Sequence, residues 1–243
     1  MFLSITASNL FDASQGLGIN QATAFTFFVG TMAMMAASAF FFFEIRNVGE
    51  KWRTSILVSG LITFIAAVHY YYMRDYFIQT GTSPTFFRYV DWLLTVPLMC
   101  VEFYLITKKA GATTSLLWKL ILASVVMLVT GFFGEATDRD NSVLWGVISG
   151  AAYFYIAYLV WFGEVATLSQ SAGPSVAKAT RILAWFVLVG WAIYPLGYII
   201  GTPGGLFGAF GSEANNPWMD VVYNIGDAVN KIGFGLVIYT LAK

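Results

Sequence analysis

The residues of this chain that could do chemistry are few and sit in apolar surroundings. Lys231 lies near the middle of an apolar run from about Pro217 to Ala242, long enough to cross a bilayer as one helix. An ammonium at that depth is costly, and such lysines mark functional sites. Asp227 precedes it by four residues, one turn away on the same helical face. An unprotonated amine is a nucleophile towards a carbonyl compound. Condensation with an aldehyde gives a Schiff base, which in its protonated form is a buried cation that needs a carboxylate beside it; Asp227 is a candidate. The structural alternative is a membrane ion pair that only fixes helix packing.

A second constellation lies in Arg88-Tyr-Val-Asp91-Trp92-Leu-Leu-Thr95-Val-Pro97-Leu-Met99-Cys-Val-Glu102. At 100° per residue, Asp91, Thr95 and Glu102 fall within about 40° of one another, with Arg88 about 60° from Asp91. A membrane helix with a cation, two carboxylates and a hydroxyl on one face should turn that face into a bundle. Glu102 lies about 16 Å beyond Asp91 along the axis at 1.5 Å per residue. Combined with Lys231, this places carboxylates on both sides of one nitrogen, a polarised proton relay. Pro97 reads as a kink. Further on, Trp185, Trp191, Tyr194 and Pro195 suggest large rings around a flat apolar ligand, although an aromatic stripe also serves ordinary packing.

The elements that must hold these groups follow from composition. The 243 residues are 58% hydrophobic and 11% charged, with a mean hydropathy of +0.70. Soluble domains carry about 25% charged residues. An all-α membrane protein is expected, a bundle of seven transmembrane helices at about 21–44, 54–76, 86–107, 115–134, 142–163, 176–200 and 217–242. Short connections make it a single domain over 1–243. The segment Gly201–Asn216 is Gly-rich and reads as a polar loop. Residues 1–20 carry no Lys or Arg, so no cleavable signal peptide is expected. One side carries Arg46, Lys51, Arg53, Lys108, Lys109, Lys119, Lys178, Arg181 and Lys243; the other carries Arg74 and Arg139. That bias puts the N-terminus outside and the C-terminus in the cytoplasm. The single cysteine, Cys100, excludes an intramolecular disulfide, and one histidine, His69, argues against a zinc centre. Zero net charge without a basic tract argues against nucleic acid as a partner.

Lys231 with Asp227, the RYVDWLLTVP run and the WAIYP run together resemble the microbial (type 1) rhodopsins, in particular the proteorhodopsin and xanthorhodopsin group of light-driven proton pumps. The resemblance covers essentially the whole chain. It implies all-trans retinal bound covalently to Lys231, Asp91 as primary counterion and proton acceptor, and Asp227 as second counterion. It implies Glu102 as proton donor, Thr95 as the middle of an Asp-Thr-Glu triplet, and Arg88 as the arginine beyond the counterions. Trp92, Trp191, Tyr194, Pro195 and Tyr223 match the retinal pocket. His69 matches a histidine that hydrogen-bonds the acceptor aspartate and often faces a neighbouring protomer. Met99 takes the colour-tuning position, where an apolar residue goes with green absorption and Gln with blue.

Gly146 aligns with a glycine that in xanthorhodopsin-like members opens a lateral window for a carotenoid antenna. With Gly150 it also forms GxxxG, a close-packing signal, and both readings stand. The run around Tyr155, Tyr158 and Trp161 lacks an acidic residue found in some proteorhodopsins. The resemblance also implies a multi-pass protein of a bacterial-type inner membrane, in contact with lipid and protons, assembled as a homo-pentamer or hexamer, and an ion transporter rather than an enzyme. The alternative is a retinal-based photosensory receptor. Glu102 argues against it, because a sensor needs no donor. Sodium pumps show an Asn-Asp-Gln pattern and halide pumps lack the aspartate at position 91, so the Asp91-Thr95-Glu102 set disfavours both.

Overall fold

The structure, a computed structural model, describes residues 18–201 and 217–243. The expected polar loop over Gly201–Asn216, beyond Gly201 itself, and most of the N-terminal stretch read for a signal peptide lie outside the described residues.

Seven described segments are long and apolar enough to cross a membrane. They are built from α1 (Ile19–Glu44), α2 (Arg53–Thr80), α3 (Thr85–Thr107), α4 (Thr114–Phe132), α5 (Ser142–Trp161), α6 (Glu164–Ser171), α7 (Pro174–Trp185), α8 (Ile193–Gly201) and α9 (Pro217–Ala242). No strand occurs among the described residues. Sequential helices pack side by side from α1 to α5, and α9 closes the ring against α1, α2 and α7. Turn chemistry ends the helices where the sequence demands it. Gly81, at φ 66°, caps α2 and donates its N–H to Phe77 O at 2.8 Å, a left-handed position that suits glycine. The Thr113 hydroxyl accepts the Leu116 N–H and opens α4.

The bundle keeps its charged groups inside, among an apolar core, and presents large apolar side chains outside. Phe43, Tyr71, Val147, Phe154 and Phe162 are exposed on its outer wall, whereas Arg88, Asp91, Glu102, Asp227 and Lys231 are buried. That distribution suits a hydrocarbon solvent, in which charged groups must find partners within the bundle. Edge-on aromatic contacts lock the interior, as between Phe103 and Phe234 at 5.6 Å, each such pair adding about 1 kcal/mol.

Three expected segments differ from the observed ones. The fourth span ends in a π-helical turn, Phe133–Thr137. The fifth bends at Phe162 and Gly163 and continues as α6 through residues read as a connection; an ion pair from Lys119 to Glu164 ties α6 to α4. The sixth is α7 and α8 joined through a second π-helical turn, Phe186–Gly190. A π-turn inserts one residue and shifts the helical phase by about 100°, but in spans that are apolar on nearly every face that shift leaves no visible break in the pattern.

Candidate functional site

Helix α9 carries a polar stripe, Asp220, Asn224, Asp227 and Lys231, spaced four, three and four residues apart, all buried. Helix α3 faces it with Arg88, Asp91, Thr95 and Glu102, also buried. The face deduced from helical spacing is therefore the inward face.

At the centre Lys231 Nζ donates to Asp91 Oδ2 at 2.5 Å and lies 3.2 Å from Asp227 Oδ2. Two buried carboxylates thus flank one buried amine. Their other partners differ. Asp227 accepts from Tyr70 OH at 2.8 Å, from Tyr194 OH at 2.5 Å, and from Trp92 Nε1 at 3.1 and 3.2 Å to its two oxygens. Asp91 Oδ1 has no hydrogen-bond donor among the described residues. The expected bond from His69 is not formed: His69 Nδ1 is 3.9 Å from Asp91 Oδ1 and sits instead 2.9 Å from Ile65 O. The two groups stay within ion-pair reach while the nitrogen's short contact goes to the carbonyl one turn back. Thr95 likewise donates to the Asp91 carbonyl at 2.9 Å rather than to its carboxylate.

Arg88 pairs with neither carboxylate at the lysine. Its Nη2 is 2.6 Å from Asp220 Oδ1, its Nη1 donates to Asn224 Oδ1 at 3.4 Å, and its guanidinium lies over the Tyr223 ring at 4.9 Å. Glu102 stands apart in apolar packing with Ser59 donating to its Oε1 at 3.3 Å, and its Oε2 lacks a donor among the described residues.

Sequence reasoning missed Tyr70, Asp220 and Ser59. The signal for Asp220 was its seven-residue spacing to Asp227. Ser55, Ser59, Thr63 and Tyr70 form a 4-4-7 polar stripe on α2, all buried.

A cavity of about 740 Å³ opens beside this cluster, lined by Trp92, Val96, Met127, Tyr153, Trp191 and Pro195 among others. That volume suits a drug-sized apolar ligand. Trp92 and Tyr194 line the cavity and also bond Asp227, so the chamber ends against the lysine's own counterion. An apolar, aromatic-walled chamber adjoining a buried amine fits retinal: ring walls for a conjugated chain, and carboxylates for a positive nitrogen. Tyr223 and Met99, expected around the ligand, do not line the chamber. Tyr223 stacks on Tyr194 at 6.0 Å, one layer further towards Arg88, and Met99 is buried in the core.

The cavity runs sideways between α5 and α8, where Gly146 and Gly150 line it. A Cβ at Gly146 would stand 2.8 Å from Tyr198 Cε1, so the Tyr198 ring fills that notch. A Cβ at Gly150 would meet nothing within 4 Å. Only one glycine of the GxxxG pair is therefore a close helix contact.

Comparison with known proteins bears on the family and the fold. A family model described as bacteriorhodopsin-like protein matches residues 21–243. The chain is 44% identical to a green-light absorbing proteorhodopsin of the gamma-proteobacterium EBAC31A08, over 98% of this chain and 94% of that one. It is 46% identical to a blue-light absorbing proteorhodopsin of the gamma-proteobacterium Hot 75m4, over 95% and 90%. Among solved structures, blue light-absorbing proteorhodopsin from Med12 superposes with a TM-score of 0.76 at 40% identity, covering 90% of this chain and 97% of that one. Xanthorhodopsin, described as a light-driven ion pump with dual chromophore, superposes with a TM-score of 0.80 at 29% identity, covering 93% and 94%. A family match across nearly the whole chain, with relatives this similar and a shared seven-helix architecture, places the chain in the bacteriorhodopsin-like family, among the proteorhodopsin and xanthorhodopsin type of microbial rhodopsin.

Proposed function

We propose that this chain is a light-driven outward proton pump, absorbing green light, with retinal held as a Schiff base on Lys231. The observation that carries the reading is the buried Lys231 amine between Asp91 and Asp227 at the end of an aromatic chamber. When bound, retinal supplies light absorption and a change of shape that re-aims the nitrogen. The chain's residues do the rest. Trp92, Trp191 and Pro195 wall the chamber and exclude water. Asp227, with its donors satisfied, stays a fixed negative charge. Asp91 takes the proton at Oδ2, the oxygen already in contact with Nζ. Glu102, buried beside Ser59, returns a proton to the nitrogen from the opposite side. Arg88 and Asp220, paired beyond the counterions, hold the outer end. The lysine and arginine bias sets the N-terminus outside, which makes transport outward, across a bacterial-type inner membrane, with the whole chain acting as one retinal-binding unit.

Colour rests on Met99, because green and blue relatives are about equally similar to this chain. A homo-pentamer or hexamer follows from the family reading, and His69 keeps 19% of its side chain exposed for a neighbouring copy. A carotenoid laid along the groove between α5 and α8 would meet the Tyr198 ring at Gly146; excitation of retinal emission through an added carotenoid tests that antenna.

The test of the main reading is the light-induced pH change of an unbuffered suspension of retinal-fed cells, with and without a protonophore. Acidification abolished by the protonophore is the expected result. A coloured protein with no pH change would move the reading to a photosensor. Alkalinisation enhanced by the protonophore would indicate another ion.

A further inference from the structure

The π-helical turn Phe186–Gly190 disturbs the regular hydrogen bonding between α7 and α8; Trp191 N–H reaches back five residues to Phe186 O at 2.9 Å. Side chains from both neighbouring helices bond to its carbonyls. Tyr153 OH of α5 donates to Val187 O at 3.0 Å and to Leu188 O at 2.9 Å. Asn230 Nδ2 of α9 donates to Gly190 O at 2.9 Å. The fit at Gly190 is tight: a Cβ there would stand 2.0 Å from Asn230 Oδ1, so no larger residue is compatible with this contact. Both donors belong to the ligand site by position. Tyr153 lines the chamber. Asn230 is the residue before Lys231, and its Nδ2 is 3.5 Å from Tyr194 OH, which bonds Asp227. A continuous series of contacts therefore runs from Asp227 through Tyr194 and Asn230 to the backbone of the turn. π-Turns are frequent at functional positions, and this one is held from two sides by groups that would feel a ligand on Lys231.

We propose that Asn230 and Tyr153 are positioning residues that latch the π-turn of the sixth span to the lysine's helix and to the chamber wall, so that the turn responds to the state of Lys231. The proposal rests on the retinal reading of the chamber and goes beyond it by assigning a transmitting role to two residues that touch no carboxylate. Inward of the turn lies α7, which packs on α9. Release of the latch would let α7 shift relative to α9 and change access to the nitrogen from the Glu102 side.

The experiment is amide hydrogen exchange over residues 186–192, on the full chain with and without added all-trans retinal, in wild type, Asn230→Leu and Tyr153→Phe. Asn230→Leu keeps the branched shape and removes the donor; Tyr153→Phe removes only the hydroxyl. In wild type, retinal is expected to change exchange across the turn. In each variant, exchange is expected to be about tenfold faster, the scale of one lost hydrogen bond, and the response to retinal to shrink. Flash spectroscopy should then show the proton's return to the nitrogen altered several-fold, with its transfer to Asp91 within twofold of wild type. Equal exchange in wild type and variants overturns the proposal. So does faster exchange with unaltered return of the proton, which would make the latch purely structural. If Asn230→Leu does not fold, Tyr153→Phe tests the same turn alone. A wild type that moves no protons, yet whose turn responds to retinal in the latch-dependent way, would overturn the pump reading and leave the latch standing.

Discussion

Asp91 and Asp227 are the same residue type, equally buried, and within 3.2 Å of the same amine. They differ in what else they touch. Asp227 is held by Tyr70, Tyr194 and Trp92, from three separate segments of the chain. Asp91 has the lysine and a bare Oδ1. A carboxylate that accepts several hydrogen bonds is stabilised as an anion, so Asp227 suits a permanent charge and Asp91 suits a group that takes up a proton and gives it away. Two chemically identical groups are distinguished by their neighbours more than by their distance from the amine.

The sharpest way to break that comparison is to remove each carboxylate in turn. Asp91→Asn should leave a pigment that is red-shifted and pumps at least about 100-fold more slowly, the scale of losing a positioned proton acceptor. Normal outward transport by that variant, measured as light-induced acidification, would sink the assignment. On the opposite side of the nitrogen, Glu102→Gln should slow return of the proton by about 100-fold, read as decay of the flash-induced absorbance change, and added azide should restore part of the rate. Asp227→Asn should show its main effect elsewhere. Either variant leaves the buried nitrogen with half its compensation, a destabilisation of about 3–5 kcal/mol; Asp227→Asn also takes the anionic acceptor from Tyr70, Tyr194 and Trp92, so its pigment should be lost in urea well before that of Asp91→Asn. Should the two variants be equally stable, the contrast drawn from hydrogen bonding is wrong.

A finer test touches only the donors. Tyr70→Phe removes one hydrogen bond to a charged acceptor and should cost about 2 kcal/mol, with a shifted absorption maximum and little change in pumping. The smallest effect is expected at a carboxylate outside the spans. Asp138 accepts from Trp145 Nε1 at 2.9 Å and from Asn141, and these bonds hold its carboxyl below the usual aspartate value. A depressed folded value gives stability that is present above the unfolded value of 3.8 and lost as pH falls through the folded one. Trp145→Phe should therefore narrow the gap between thermal midpoints measured at neutral and at strongly acidic pH.

Much of this was legible in sequence because a membrane helix can hide a charge only by turning it inward. Asp91, Thr95 and Glu102 share a face by spacing alone, and Asp227 lies one turn from Lys231 by spacing alone. The polar stripe on α2 was legible too, since Ser55, Ser59, Thr63 and Tyr70 repeat with helical spacing, but it went unread because hydroxyls are cheap to bury and draw no attention. His69 shows the reverse. The resemblance implies a bond to Asp91; here Nδ1 lies 2.9 Å from Ile65 O and 3.9 Å from Asp91 Oδ1, a choice of ring rotation that no spacing in the sequence encodes.

The sequence by itself determined that this chain has seven spans long and apolar enough to cross a membrane, and that one lysine and a few carboxylates lie on helix faces that must turn inward. Those follow from hydropathy and from the period of the helix, which are local quantities. Only the tertiary structure decided which carboxylate gathers several donors and which meets the lysine alone, which acid Arg88 pairs with, that Tyr198 fills the notch at Gly146, and that Asn230 and Tyr153 hold the π-turn. Each depends on the rotation and depth of one helix against another, set by the packing of many side chains at once.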